Sequence, residues 1–314
     1  MKLTAKIASG LALSFLLTGT ALASEPEACK TVRFSDVGWT DITATTAATT
    51  VVLDALGYET EIKILSVPVT YASLKNKDID IFLGNWMPTM EGDIKAYRED
   101  GSVETVRANL EGAKYTLAVP KYTYDKGLKS FQDIAKFQEE LDGKIYGIEP
   151  GNDGNRLIIG MIDENLFGLD GFEVVESSEQ GMLAQVARAE RRENDIVFLG
   201  WAPHPMNANF EIEYLSGGDD IFGPNFGGAT VYTNVRAGYT DECQNVGKFL
   251  ENLEFSLPME NEIMGAILND GADPQQAAKA WLKEHPATFE RWLEGVTTVD
   301  GGDSFAAVKG ALGL

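Results

Sequence analysis

One stretch occurs twice in this chain, and it constrains the fold more than any other feature. Residues 78–88 read Asp-Ile-Asp-Ile-Phe-Leu-Gly-Asn-Trp-Met-Pro, and residues 195–203 read Asp-Ile-Val-Phe-Leu-Gly-Trp-Ala-Pro. Each is a β-branched and aromatic run closed by Gly, Trp and Pro, and such a run reads as a buried strand. We expect the closing Gly-Trp-Pro to break the strand and leave an indole at its carboxyl end, where open α/β sheets bind ligands. The surroundings repeat too. A strand over Thr31–Ser35 leads into Gly38-Trp39-Thr40-Asp41, one over Lys144–Ile148 leads into Pro150-Gly151-Asn152-Asp153, and a helical pattern follows each. Trp39 precedes Trp86 by 47 residues, and Asn152 precedes Trp201 by 49. Matching loops at matching spacing predict two similar α/β lobes that face each other.

The rest of the chain fits that plan. Helices are expected over Thr43–Leu56 and Thr70–Asn76, with strands over Thr60–Leu65 and Asp80–Leu83. Such alternation gives a parallel sheet with right-handed crossovers. A helix over Glu91–Arg98 precedes the strand Lys114–Val119, read as the first crossing between lobes. Helices follow over Phe131–Leu141 and Met182–Arg192. After the Gly-rich Gly217–Gly228 stretch, the strand Ala229–Asn234 returns the chain. Tail helices are expected near Cys243–Leu253, Glu260–Leu268, Pro274–Lys283 and Ala287–Leu293. The division is therefore a leader (1–23), a discontinuous lobe one (24–113 with 229–314), and lobe two with the hinge strands (114–228). Two crossings make a hinge, and a hinge permits closure on a ligand.

Lys2 and Lys6, the apolar run Ile7–Leu17 and the small-residue site Ala21-Leu22-Ala23 form a secretory signal, with cleavage after Ala23 and a periplasmic destination. The run is too short to span a membrane. Ala28-Cys29 has the look of a lipidation site, but Pro26 stands where an aliphatic residue is needed. Without the leader the formal charge is −24, which repels nucleic acid and anionic lipid and favours a cationic partner. Cys29 and Cys243 are either two buried thiols or one disulfide, and export favours the disulfide. His204 and His285 lack partners at ligand spacing, so neither a metal nor a cofactor is expected.

Trp39, Trp86 and Trp201 share one kind of position, a loop after a strand at the cleft. Tyr115, opening the inter-lobe strand, adds a fourth ring. Trp281 and Trp292 fall in helical tail segments and read as packing residues. A box of electron-rich rings holds a quaternary ammonium, which offers no N–H to a hydrogen-bond acceptor, at about 2 kcal/mol or more per desolvated ring. Asp41 supplies a carboxylate beside the box, with helix capping as its alternative role. Asn152 offers a donor and an acceptor to a ligand hydroxyl. Asp78/Asp80 and Asp219/Asp220 imitate catalytic carboxylate pairs. Yet there is no nucleophile elbow, no Ser-His pair and no phosphate loop, so an enzyme is the weaker alternative.

These motifs, namely Trp39-Thr40-Asp41, Leu83-Gly84-Asn85-Trp86-Met87-Pro88, Pro150-Gly151-Asn152-Asp153-Gly154 and Leu199-Gly200-Trp201-Ala202-Pro203, resemble the quaternary-amine binding proteins of ABC importers. That family includes glycine betaine, proline betaine and choline binders, and the resemblance covers essentially the whole chain after the leader. It implies the type II two-lobed periplasmic-binding fold, with two doubly wound sheets joined by a two-strand hinge. It implies that Trp39, Trp86, Tyr115 and Trp201 line the ammonium box, that Asp41 and Asn152 fix the polar end, and that Cys29 pairs with Cys243. It also implies delivery of the ligand to a permease, and a monomer suits a carrier that must present its cleft to a membrane partner. Betaine's carboxylate needs cationic donors and would meet Asp41, so choline ranks first, acetylcholine fits if the polar end has room, and betaine is the alternative. His204, between two prolines, reads as a rigid-loop residue.

Overall fold

A computed structural model describes residues 25–314; the expected leader and its cleavage site lie outside the described residues. Nine strands carry the fold: β1 Thr31–Asp36, β2 Glu59–Ile64, β3 Ile81–Met87, β4 Val103–Pro120, β5 Lys144–Tyr146, β6 Glu173–Val175, β7 Phe198–Ala202, β8 Ile212–Tyr214 and β9 Gly228–Arg236. They form one mixed sheet in the order β2-β1-β3-β9-β4-β7-β5-β6, with β8 paired on β4. β1, β2 and β3 pair in parallel, as the alternation of strands and helices requires, and so do β5, β6 and β7.

The two halves meet on β4. Its first part pairs antiparallel with β9 and its second part with β7, so the halves share one long strand. Three register shifts interrupt the β4–β9 ladder. Each bulge bends and twists a strand pair locally, which makes this ribbon the natural place for one half to turn on the other.

Helices pack on the sheet. In the first half these are α1 Thr40–Ala55, α2 Val67–Asn76 and α3 Glu91–Glu99. After β4 come α4 Lys121–Asp125, α5 Asp153–Asp163 and α6 Glu179–Arg192. α1 is rich in threonine, a poor helix former, and is nonetheless buried along most of its length. Its hydroxyls bond back into the helix, Thr49 Oγ1 to the Thr45 carbonyl and Thr50 Oγ1 to the Thr46 carbonyl, both at 2.8 Å. Those two hydroxyls are thereby satisfied in a helix packed against the tail helices Leu257–Leu268 and Pro274–Glu284, whereas Thr46 Oγ1 is buried without a partner.

Several local expectations change. β3 and β7 continue past Gly84 and Gly200, and each ends only at its proline, through a cis Met87–Pro88 or Ala202–Pro203 bond. Gly does not break these strands; it admits close neighbours. A Cβ at Gly84 would lie 2.8 Å from the Ile42 side chain, and one at Gly200 would lie 2.8 Å from Ala118 Cβ. Trp86 and Trp201 are therefore strand residues, and Trp39 precedes α1 as its N-cap. The segment Phe131–Phe137 is a 3-10 helix, which suits apolar residues recurring every third position at Phe131, Ile134 and Phe137. A last helix, Ser304–Leu312, was not anticipated.

The cysteines form a disulfide, with the Cα atoms of Cys29 and Cys243 5.5 Å apart. It pins the start of the described chain to a segment 214 residues later. Trp292 packs in the core and donates Nε1–H to the Glu254 carbonyl. Trp281 donates to Glu262 and stacks on His285, outside the cleft.

Candidate functional site

The six residues singled out in the sequence come together. Trp39, Asp41, Trp86, Tyr115, Asn152 and Trp201 line one cavity, joined by Ile148 and Asp153. None of the six is more than 6% exposed, so the cavity is closed over. β3 brings Trp86, β4 Tyr115 and β7 Trp201, while Trp39 and Asp41 open α1 and Asn152 caps α5. A one-residue bulge between Phe82 and Asn85 re-aims the end of β3 that carries Trp86. The Trp86 and Tyr115 rings meet at 6.1 Å and 63°, and the Tyr115 and Trp201 rings at 6.2 Å and 84°. Edge-to-face contacts of this kind hold the rings at fixed angles.

The polar groups are more constrained than sequence alone suggested. Asp41 is not a side-chain cap: its Oδ2 accepts the Trp86 indole N–H at 3.1 Å, and its Oδ1 is buried without a partner. Burial, followed by the nearby Glu179, pushes the Asp41 carboxyl up to about 8. Asn152 does cap a helix. Its Oδ1 accepts the Asn155 N–H at 3.1 Å and the Tyr115 hydroxyl at 2.9 Å, so its acceptor is already engaged, while Nδ2 donates to Asp153 Oδ1 at 3.1 Å. Gly154 leaves the space for that tyrosine, since a Cβ there would lie 2.1 Å from its hydroxyl.

Asp153 escaped the sequence reading as a site residue, though it adjoins Asn152. Its side chain is fully buried, Oδ2 has no partner, and burial pushes its carboxyl up to about 6. Among the described residues, the cavity lining includes two carboxylic acids with unpartnered oxygens and no Arg, Lys or His. Uncompensated acids in a dry aromatic cavity are stable only if protonated or if a cation joins them.

Contacts across the cleft also lay beyond sequence reasoning. Trp39 Nε1–H donates to Glu149 Oε1 at 2.8 Å, and burial raises the Glu149 carboxyl to about 7. Arg156 on α5 forms an ion pair with Asp93 on α3 and donates to the Thr89 carbonyl at 3.2 Å. His204 is buried, its ring 4.9 Å from Trp201, with Nδ1 accepting the Met206 N–H and Nε2 3.0 Å from Glu179 Oε1. It braces the box from behind, which goes further than the loop role expected of it.

The imitation carboxylate pairs serve structure. Asp80 is clamped by Arg33 and Arg236 at 2.7 and 2.6 Å; burial opposes ionisation, but the two guanidiniums outweigh it and lower its carboxyl. Asp219 accepts the Asn225 N–H in its loop.

A closed aromatic cavity with free carboxylate oxygens, set between two α/β halves that share a bent ribbon, defines a receptor for a small organic cation. Residues 30–284 match the family model described as the substrate-binding domain of ABC-type glycine betaine transport systems, and the chain belongs to that family. Its members are the substrate-binding parts of ABC-type transport systems. The chain is similar to an ABC-transporter choline-binding protein solved in complex with choline, at 73% identity over 92% of this chain and 100% of that one, with a TM-score of 0.91. Against the unliganded semi-closed form of such a protein the identity and coverage are the same and the TM-score is 0.85. It is also similar to lactococcal OpuAC in its closed form with glycine betaine, at 25% identity over 83% of this chain and 98% of that one, with a TM-score of 0.76.

Proposed function

We propose that this chain captures choline between its two halves and delivers it to the permease of an ABC importer from the extracytoplasmic side. The observation that carries the proposal is the cavity itself, with four rings, the free Oδ1 of Asp41 and a lining that includes no cationic side chain. Trp39, Trp86, Tyr115 and Trp201 hold the trimethylammonium against their ring faces, each face contributing about 2 kcal/mol or more when desolvated. Asp41 adds the counter-charge, and its ionised form is restored by the cation. Choline's hydroxyl donates to an unpartnered carboxylate oxygen, which glycine betaine, having no O–H, cannot supply. Betaine's carboxylate would instead face Asp41 and Asp153 without a cation to receive it. The likeness to a choline-binding protein with choline bound supports the same ligand here.

Residues 24–113 with 229–314 and residues 114–228 act as the two lobes, turning about β4 and β9 as monomers. Closure forms the Trp39–Glu149 and Arg156–Asp93 contacts, so the ligand shifts the population by contacts made only in the closed state. Calorimetry with choline, acetylcholine and glycine betaine tests the proposal. We expect choline to bind more tightly than acetylcholine, and betaine to be weakest. Tighter binding of betaine than of choline would refute it.

A further inference from the structure

Helix α1 begins inside the ligand cavity, yet it has no side-chain cap of its own, because its N-cap residue is Trp39. The missing acceptor comes from the opposite half of the molecule. Glu179, the first residue of α6, accepts the Thr40 backbone N–H at 2.8 Å through Oε2 and the Thr40 hydroxyl at 2.6 Å through Oε1. Oε1 is also 3.0 Å from His204 Nε2. His204 Nδ1 accepts the Met206 N–H, so in the neutral ring the proton sits on Nε2 and points at Glu179. The carboxylate is 1% exposed and meets three donors.

Its position ties together the two walls of the cavity. Thr40 lies between Trp39 and Asp41, both cavity residues of one half, and His204 packs on Trp201 of the other. We infer that Glu179 is the clasp of the closed state, a positioning residue that caps α1 only when the halves meet and so holds Trp39 and Asp41 in register with Trp201. Opening leaves the α1 terminus uncapped and Glu179 and His204 facing water together. The clasp adds to closure without touching the ligand, so it governs escape rather than encounter. The inference rests on choline being the ligand.

The test compares wild type, Glu179→Gln and Thr40→Val by tryptophan fluorescence in stopped-flow mixing with choline. Glu179→Gln keeps the volume but replaces one acceptor oxygen by a donor. It is expected to raise the choline dissociation rate at least about tenfold while leaving the association rate within about twofold, the split that marks loss of a contact made after encounter. Thr40→Val, which keeps the backbone N–H, is expected to show a smaller rise, and the double variant no more than Glu179→Gln alone, since the hydroxyl lost in Thr40→Val acts through Glu179. Circular dichroism and ligand-free melting of each variant separate the clasp from a folding defect, and small-angle scattering with saturating choline is expected to show Glu179→Gln more open than wild type. Unchanged dissociation in a folded Glu179→Gln overturns the inference. Wild type that ignores choline but binds glycine betaine overturns the ligand instead, and the same rates are then read with betaine.

Discussion

Replacing Asp41 by Asn keeps the shape and the acceptor for the Trp86 indole while removing the charge, which isolates the electrostatic contribution to binding. At about 4 Å and an effective permittivity of about 20, a carboxylate attracts a cation by about 4 kcal/mol. Asp41 must ionise to act. With its carboxyl held at about 8 in the empty cavity, ionisation at pH 7 takes back about 1.4 kcal/mol. The remainder, about 2.6 kcal/mol, corresponds to a roughly 80-fold loss of affinity in Asp41→Asn. The pH profile carries a second signature. The cation prefers ionised Asp41, so wild-type affinity rises with pH until about 8, by up to about tenfold per unit, and proton release accompanies binding below that value. Asp41→Asn lacks that rise. The linkage sign for the ligand-free fold is opposite: an acid raised from 3.8 to about 8 lends stability that is full at low pH and lost as pH climbs through 8, and choline offsets the loss. Isothermal calorimetry in buffers of different ionisation enthalpy reads both affinity and proton count. An Asp41→Asn protein that binds choline like wild type, with the same pH profile, would refute the role of this carboxylate.

Other outcomes follow from the same geometry. Trp86→Ala removes a ring and the indole donor to Asp41, and titration followed by the remaining tryptophans should show at least about a 30-fold weaker affinity. Gly154→Ala puts a methyl 2.1 Å from the Tyr115 hydroxyl, so Tyr115 must leave Asn152; we expect weaker choline binding, with a crystal structure showing the ring displaced. Replacing Cys29 and Cys243 by Ser opens a cross-link between residues 214 apart, with a loss of stability up to roughly 5 kcal/mol in the chain-entropy model, read by denaturant melts, while choline affinity changes little because neither cysteine lines the cavity.

Much of this protein is written in short-range patterns. The duplicated strand with its Gly, Trp and Pro announces two alike halves, and periodicity places most helices within a few residues because burial of one face imposes it. Trp39, Trp86, Asn152 and Trp201 were legible because they stand at matching places in a repeated unit, Asp41 because it adjoins Trp39, and Tyr115 because it opens the strand between the halves. The long helix α1 shows the limit. A helix from Thr43 was legible, but its opening turn at Thr40–Ile42 and the burial of its threonines come from the sheet and the tail helices packed around it.

The remainder was decided by tertiary structure. Whether Gly84 ends a strand depends on how near Ile42 comes, which no local pattern records. Trp39 meets Glu149 across 110 residues and Thr40 meets Glu179 across 139, and those pairs exist only because β4 runs through both halves and lets them close. Side-chain chemistry is fixed by composition, so the chain itself determined that rings and acids were available to hold a cation. Which oxygens stay free, which are consumed in capping, and how far burial shifts their protons are properties of a closed cavity, set by distances that arise only after folding.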